Sequence, residues 1–216
     1  RWAAHARAWV VEDDYDSEYR YGTRPAPCLH GLDEAERVIY VGSFSKTLCP
    51  ALRLGFIVAP PALHDVLTQI RRAADVHPPT LEQLAVADLI TSGEYERHLR
   101  RVRRACALRL DALRSALRRE CGDRVRLRPV TTGLHGVADL APSVDMGRLL
   151  GAAKRHQVEI MPLAAYVRRP LPAAPRAIVL GFGAVDPTTL RDGVRRLARA
   201  VADATTVRDA TVRRTR

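Results

Sequence analysis

The chain is predicted to be an α/β protein: a mostly parallel sheet in its first part, followed by a smaller α+β region. Three observations predict this. Continuous apolar runs of strand length, each bounded by polar turns, recur through residues 1–60, as in a sheet covered on both faces. One long amphipathic helical pattern then fills about 94–119. After residue 124, short strand patterns alternate with two more helical ones.

The elements follow in order. Ala8-Trp-Val-Val-Glu-Asp is a buried-strand pattern that ends in acids, and Arg37-Val-Ile-Tyr-Val-Gly-Ser is a second strand. Polar residues gather at the C-terminal ends of both, where open α/β sheets place ligands. Leu54-Gly-Phe-Ile-Val-Ala is a third strand, closed by Pro60-Pro61. Residues 61–91 read as two helices parted by His77-Pro-Pro-Thr, with Thr80 and Gln83 forming a capping box. In the long helix, Tyr95, Leu99, Val102, Cys106, Leu110, Leu113 and Leu117 recur at spacings of three and four, which makes one apolar stripe. Gly122 ends it. Strands are expected at Val125-Arg-Leu-Arg, within Gly133–Leu140, at Val158-Glu-Ile-Met and at Ala177–Phe182. Helices are expected near 145–156 and over Pro187–Ala202, and residues 205–216 form a polar, basic tail.

Composition narrows the classes of function. Hydrophobic residues make up 47% and charged residues 27% of 216, a globular balance that points to a soluble, cytoplasmic protein. No apolar run is long enough for a membrane span. The start, Arg1-Trp-Ala-Ala-His, lacks a signal-peptide core and a Met, so it is expected to lie inside a longer chain. Cys28, Cys49, Cys106 and Cys121 show no metal-type spacing and are read as reduced thiols. The net charge of +11 gathers in Arg100–Arg104, Arg114–Arg119 and Arg208–Arg216. Without a groove-reading motif, it is read as solvated helix face rather than as a nucleic-acid site.

Chemistry concentrates around one residue. Of 35 basic side chains only Lys46 and Lys154 are lysines, and Lys46 sits in Val41-Gly-Ser-Phe-Ser-Lys-Thr-Leu-Cys-Pro-Ala-Leu-Arg-Leu-Gly-Phe56. A Lys on a Ser-rich turn after a strand, with Arg53 seven residues on, suits an aldehyde-bearing phosphate. The amine can condense with the aldehyde, while hydroxyls and the guanidinium hold the phosphate. Arg cannot replace that Lys, because only the amine readily loses its proton and becomes a nucleophile. Upstream, the first strand ends in Glu12-Asp-Asp-Tyr-Asp16. A carboxylate keeps a pyridine nitrogen protonated, and a phenol tunes a ring oxygen. Asp13 and Asp14 both remain candidates for the carboxylate, since a one-residue slip reverses the strand face. Glu12, Asp16 and Glu18 are read as acids that cap amides or pair with Arg20 and Arg24. Ser45 is read as a turn-stabilising hydroxyl and His135 as a packed strand residue. Tyr166 and Arg168 lie on a loop that could border a substrate.

Glu12-Asp-Asp-Tyr-Asp-Ser-Glu-Tyr-Arg, taken with Tyr40-Val-Gly-Ser-Phe-Ser-Lys-Thr-Leu-Cys-Pro-Ala-Leu-Arg-Leu-Gly-Phe, resembles the aminotransferase-like domain of MocR regulators. These belong to the GntR superfamily and share the fold-type I, pyridoxal 5'-phosphate (PLP)-dependent class I/II aminotransferase architecture. The resemblance runs from about Trp9 to Ala202. It implies that Lys46 forms an internal aldimine with PLP, that Asp13 pairs with the pyridinium nitrogen, and that Tyr15 bonds the 3-oxygen. Ser43 and Arg53 would bind the phosphate.

The same resemblance divides the chain into 1–92, the C-terminal part of the PLP-binding large domain; 93–121, a connecting helix; 122–204, a small α+β domain; and 205–216, the tail. It implies a homodimer at full length and a small amine or amino-acid effector. DNA contact would come only through an N-terminal winged helix-turn-helix. That module and the first half of the PLP domain are missing from these residues, so a C-terminal portion is expected.

One position departs from the pattern. Where aminotransferases carry a carboxylate-binding Arg before Leu-(Ser/Gly)-Phe, this chain has Val179, and Arg176 lies three residues earlier. Val cannot form a bidentate clamp, which favours a sensor over an efficient transaminase. A catalytically active class I/II aminotransferase is the alternative, and a remnant without cofactor is a third reading.

Overall fold

The computed structural model describes residues 1–22, 27–76, 78–168 and 175–205. Arg24, His77 and tail residues 206–216 lie outside the described residues. The chain divides into two compact units, 1–103 and 104–216, and the division falls within the long helix.

The first unit opens with a short helix, α1 (Trp2–His5), and continues into strand β1 (Val10–Asp14). Strand β2 (Val38–Ser43) lies parallel to β1, with Val10 opposite Val38 and Asp14 opposite Gly42. The 23 residues between them are long enough for the crossover that parallel strands need. Strand β3 (Gly55–Val58) runs antiparallel to β2, with Ser43 opposite Gly55. Its connection, residues 44–54, holds only a turn and a short 3-10 segment, Pro50–Leu52, so the chain folds straight back. Gly42 is required where the strands meet: a Cβ there would stand 2.3 Å from the Phe56 ring.

Helices α2 (His64–Asp75) and α3 (Thr80–Thr91) follow. The capping box expected at Thr80 does not form. Thr80 is the first helical residue, its hydroxyl donates to the Pro78 carbonyl at 3.1 Å, and the Gln83 amide donates to the Pro79 carbonyl. Cover on both faces of the sheet is also not met at β3. Phe56, Ile57 and Val58 are all exposed, and of α2 and α3 only Val86 is buried.

Helix α4 (Glu94–Cys121) carries the predicted stripe. Leu99 is buried in the first unit, and Cys106, Leu110, Leu113 and Leu117 in the second, where Ala112 and Ala116 widen the band. Each buried Leu contributes about 2 kcal/mol. Gly122 follows with φ +54°, a left-handed conformation that glycine adopts without steric cost.

The second unit is a four-stranded antiparallel sheet in the order β4 (Val125–Leu127), β5 (His135–Leu140), β7 (Ala177–Gly181), β6 (Met161–Pro162). The strand expected from Val158 is reduced to Met161–Pro162. Helices α5 (Met146–Arg155) and α6 (Pro187–Ala204) start at side-chain caps. Asp145 accepts from the Arg148 amide, and Asp186 from the Thr188 and Thr189 amides. Leu149, Ile178, Phe182 and Leu197 are fully buried at the centre of this unit.

Candidate cofactor site at the strand ends

Five predicted residues lie in the first unit, at or just beyond strand ends. Since β1 and β2 are parallel and β3 returns, the carboxyl ends of β1 and β2 share one sheet edge with the amino end of β3. Asp13 stands opposite Val41, one step from the end of β1, and Tyr15 follows the strand directly. Ser43 ends β2, Lys46 lies three residues beyond it, and Arg53 precedes β3 by two. The Phe44 amide donates to the Leu54 carbonyl at 3.1 Å, which ties the two sides of this loop together.

The strand alternation separates the two candidate aspartates. Asp14 is committed. Its Oδ2 accepts from Tyr40 Oη at 2.8 Å and from Ser17 Oγ at 2.5 Å, and its Oδ1 accepts from the Ser17 amide at 3.1 Å. Partial burial works against its charge, but the bonds from Ser17 and Tyr40 and the charge of Arg20 together hold its carboxyl below the usual aspartate range. Burial, then the bond to Asp14, pushes the Tyr40 phenol well above its ordinary value. Asp13 faces the other way and is exposed. Among the described residues, the side chains of Asp13, Tyr15, Lys46 and Arg53 form no hydrogen bond or ion pair with the protein.

Neighbouring groups are used structurally. Glu12 accepts from the Leu29 and His30 amides at 2.8 and 2.9 Å, as expected of an amide-capping acid. Arg20 Nε donates to the Ser17 carbonyl. Burial raises the Glu18 carboxyl, and Arg103 Nε donates to the Glu18 main-chain carbonyl rather than pairing with that carboxylate. The hydroxyl that stabilises the turn is Ser43's, not Ser45's: Ser43 Oγ accepts from the Ser45 amide at 3.1 Å. Its own proton remains available to donate.

Arg53 has φ +49°. Non-glycine residues rarely take this conformation, which costs on the order of 1 kcal/mol and concentrates at functional positions. An unpartnered amine, carboxylate, phenol and guanidinium, with a donor hydroxyl, suit the aldehyde, ring nitrogen, ring oxygen and phosphate of PLP in turn. The donor set therefore fits that group.

The sequence assigned no role at the lysine turn to the residues that hold it. Tyr19 Oη donates to the Lys46 carbonyl at 2.6 Å. Tyr95 Oη donates to Thr47 Oγ1 at 3.1 Å, and His98 Nε2 lies 2.7 Å from the Thr47 carbonyl. These partners are 27, 48 and 51 residues apart, so no local pattern announces them.

The remaining candidates belong to the second unit. His135 lies on β5 opposite Gly181 but is exposed, not packed inside. Tyr166 ends a 3-10 turn, and both it and Arg168 are exposed. Val179 pairs with Val137 and Met161. Arg176 is already occupied, since its Nη2 donates to the Pro142 and Val144 carbonyls, each at 2.9 Å. No helix of the described residues is long and apolar enough to cross a membrane.

Comparison with known proteins converges on one family. The model of aminotransferase class I and II matches residues 2–164. The chain is 39% identical over 193 residues to the probable rhizopine catabolism regulatory protein MocR of Rhizobium meliloti, covering 89% of this chain and 39% of that protein. It is 34% identical over 195 residues to the 2-aminoadipate transaminase of Thermus thermophilus, covering 89% and 48%. The crystal structure of LysN, an alpha-aminoadipate aminotransferase from Thermus thermophilus complexed with N-(5'-phosphopyridoxyl)-L-leucine, superposes with a TM-score of 0.80 at 31% identity, covering 93% of this chain and 52% of that one. The chain thus spans about two fifths to one half of the length of these relatives. With the matched region taking in the lysine turn and the acid-bearing end of β1, the chain belongs to the aminotransferase class I and II family.

Proposed function

We propose that this chain is the PLP-binding, aminotransferase-like effector domain of a MocR/GntR-type transcription regulator, with the cofactor joined to Lys46. The observation that carries the reading is the set of unpartnered Asp13, Tyr15, Lys46 and Arg53 side chains at one sheet edge, beside an Asp14 already committed to Tyr40 and Ser17. When bound, PLP supplies an aldehyde that condenses with primary amines and a ring that draws electrons from them. Lys46 presents the amine, and Asp13 keeps a proton on the ring nitrogen. Tyr15 donates to the ring oxygen, while Arg53 and the Ser43 hydroxyl hold the phosphate through charge-assisted bonds.

In this reading, residues 1–92 are the C-terminal part of the large domain, 93–121 the connecting helix and 122–204 the small domain. A small amine that competes with Lys46 for the aldehyde is the effector, and its binding biases two states of the full-length homodimer. The similarity to MocR, a probable regulatory protein, supports a regulator; in this reading a separate N-terminal module binds DNA.

The similarity to a transaminase supports the second reading, an active aminotransferase. Val179 and the occupied Arg176 weigh against it, because the substrate carboxylate then lacks its usual clamp. The test is a titration of the full-length polypeptide with PLP. A visible absorbance band should appear in the parent and be absent from Lys46→Ala. An identical band in both would refute the role of Lys46. Rapid turnover of an amino acid with a keto acid would favour the enzyme.

A further inference from the structure

We propose, building on the reading of Lys46 as the cofactor lysine, that Tyr95 and His98 of α4 are positioning residues that fix the Lys46–Thr47 turn and thereby set the reactivity of its amine. The turn hangs between the end of β2 and the 3-10 segment before Arg53, and the sheet ladder stops at Ser43. The turn is closed by the Leu48 amide donating to the Phe44 carbonyl at 2.8 Å, and side chains brought from elsewhere hold Lys46 and Thr47 within it. His98 Nε2 lies 2.7 Å from the Thr47 carbonyl, and since a carbonyl only accepts, this nitrogen carries the proton. Tyr95 Oη donates to the Thr47 hydroxyl, and the Tyr95 ring meets Phe44 edge-on with centroids 5.9 Å apart. Tyr19 Oη donates to the Lys46 carbonyl at 2.6 Å.

Thr47 is 1% exposed while Lys46 is exposed. The clamp therefore grips the backbone and the following residue and leaves the amine free. Arg103, about two turns along α4 from Tyr95, donates to the Glu18 carbonyl beside Tyr19 at 2.6 Å. One helix thus bonds both Thr47 and the Glu18 carbonyl next to Tyr19, the residue that bonds the Lys46 carbonyl. Moving α4 along its axis would break the Thr47 bonds, so the helix and the amine are mechanically coupled.

Two measurements on the full-length polypeptide test this, using Tyr95→Phe, His98→Leu and His98→Gln. Amide hydrogen exchange over residues 44–49 needs no cofactor. Each of Tyr95→Phe and His98→Leu should speed it about fivefold, as expected for losing one net hydrogen bond. The sheet should stay protected, and His98→Gln, whose amide N–H can reach the same carbonyl, should recover most of the effect. Unchanged exchange, or loss of protection across the whole sheet, overturns the proposal.

The second readout is the rate at which added PLP is captured on Lys46, trapped by borohydride and read by mass. It should fall several-fold in the first two variants and recover in His98→Gln. Equal rates in parent and variants overturn the positioning role. No capture by the parent refutes the proposed function instead, and the exchange result then decides the positioning alone.

Discussion

Tyr40 Oη donates to Asp14 Oδ2 at 2.8 Å, so the parallel strands β1 and β2 are joined by side chains as well as by their backbone ladder. Asp14→Asn should cost about 1–2 kcal/mol of stability at neutral pH, the loss expected for weakening a charged, part-buried acceptor. The pH sign follows from the depressed carboxyl. Its contribution is present above the usual aspartate value of about 3.9 and is lost as pH falls through the lower folded value. Urea unfolding at pH 7 and pH 3 checks this: the gap between parent and variant should narrow at the acid end.

Asp13→Asn should behave in the opposite way. Asp13 is exposed and, among the described residues, its side chain has no protein partner. Stability should therefore change by less than about 0.5 kcal/mol. PLP should still bind, but proton loss from a bound amino acid should slow sharply, because a neutral amide cannot hold the ring nitrogen's proton. Solvent deuterium exchange at the amino acid α-carbon reports this directly. Unaltered exchange would assign the ring-nitrogen role to another group.

Arg53 gives a prediction in which stability and binding move apart. Arg53→Gly relieves the positive φ and should stabilise the fold by up to about 1 kcal/mol. It should also lower PLP affinity by about tenfold or more, through the lost charge-assisted phosphate bonds. Arg53→Ala should lose the same affinity with no gain in stability. Thermal melts without cofactor and equilibrium titration with it separate the two effects.

Much of this was legible in the sequence because it is periodic. The runs at Val10–Asp14, Val38–Ser43 and Gly55–Val58 emerge as strands within a residue or two of their predicted ends, and the stripe of α4 is buried at Leu110, Leu113 and Leu117. Lys46 stands out as a candidate by its chemistry, as one of only two lysines among 35 basic residues. What stayed hidden depends on direction or on distance along the chain. Which of Asp13 and Asp14 bonds Tyr40 depends on the strand face that each occupies. The grip on Thr47 comes from Tyr95 and His98, 48 and 51 residues away. The Thr80 cap failed because Pro79 supplies the accepting carbonyl, a backbone detail that residue preference does not encode.

The packing of α4 can be tested without any cofactor. Leu117 is 1% exposed in the second unit. Leu117→Ala should cost about 2–5 kcal/mol, as for other buried leucines whose removal leaves a cavity. Leu108→Ala, on the same helix but 65% exposed, should change stability by no more than about 0.5 kcal/mol. Denaturant midpoints of the two variants decide it.

Lys46 is the residue proposed to capture PLP. The most direct measurement is to incubate the full-length polypeptide with PLP, reduce with borohydride, digest, and locate the phosphopyridoxyl mass by peptide sequencing. One stoichiometric modification is expected, on Lys46, with Lys154 unmodified. Stoichiometric modification of any lysine other than Lys46, or its survival in Lys46→Ala, would overturn that assignment.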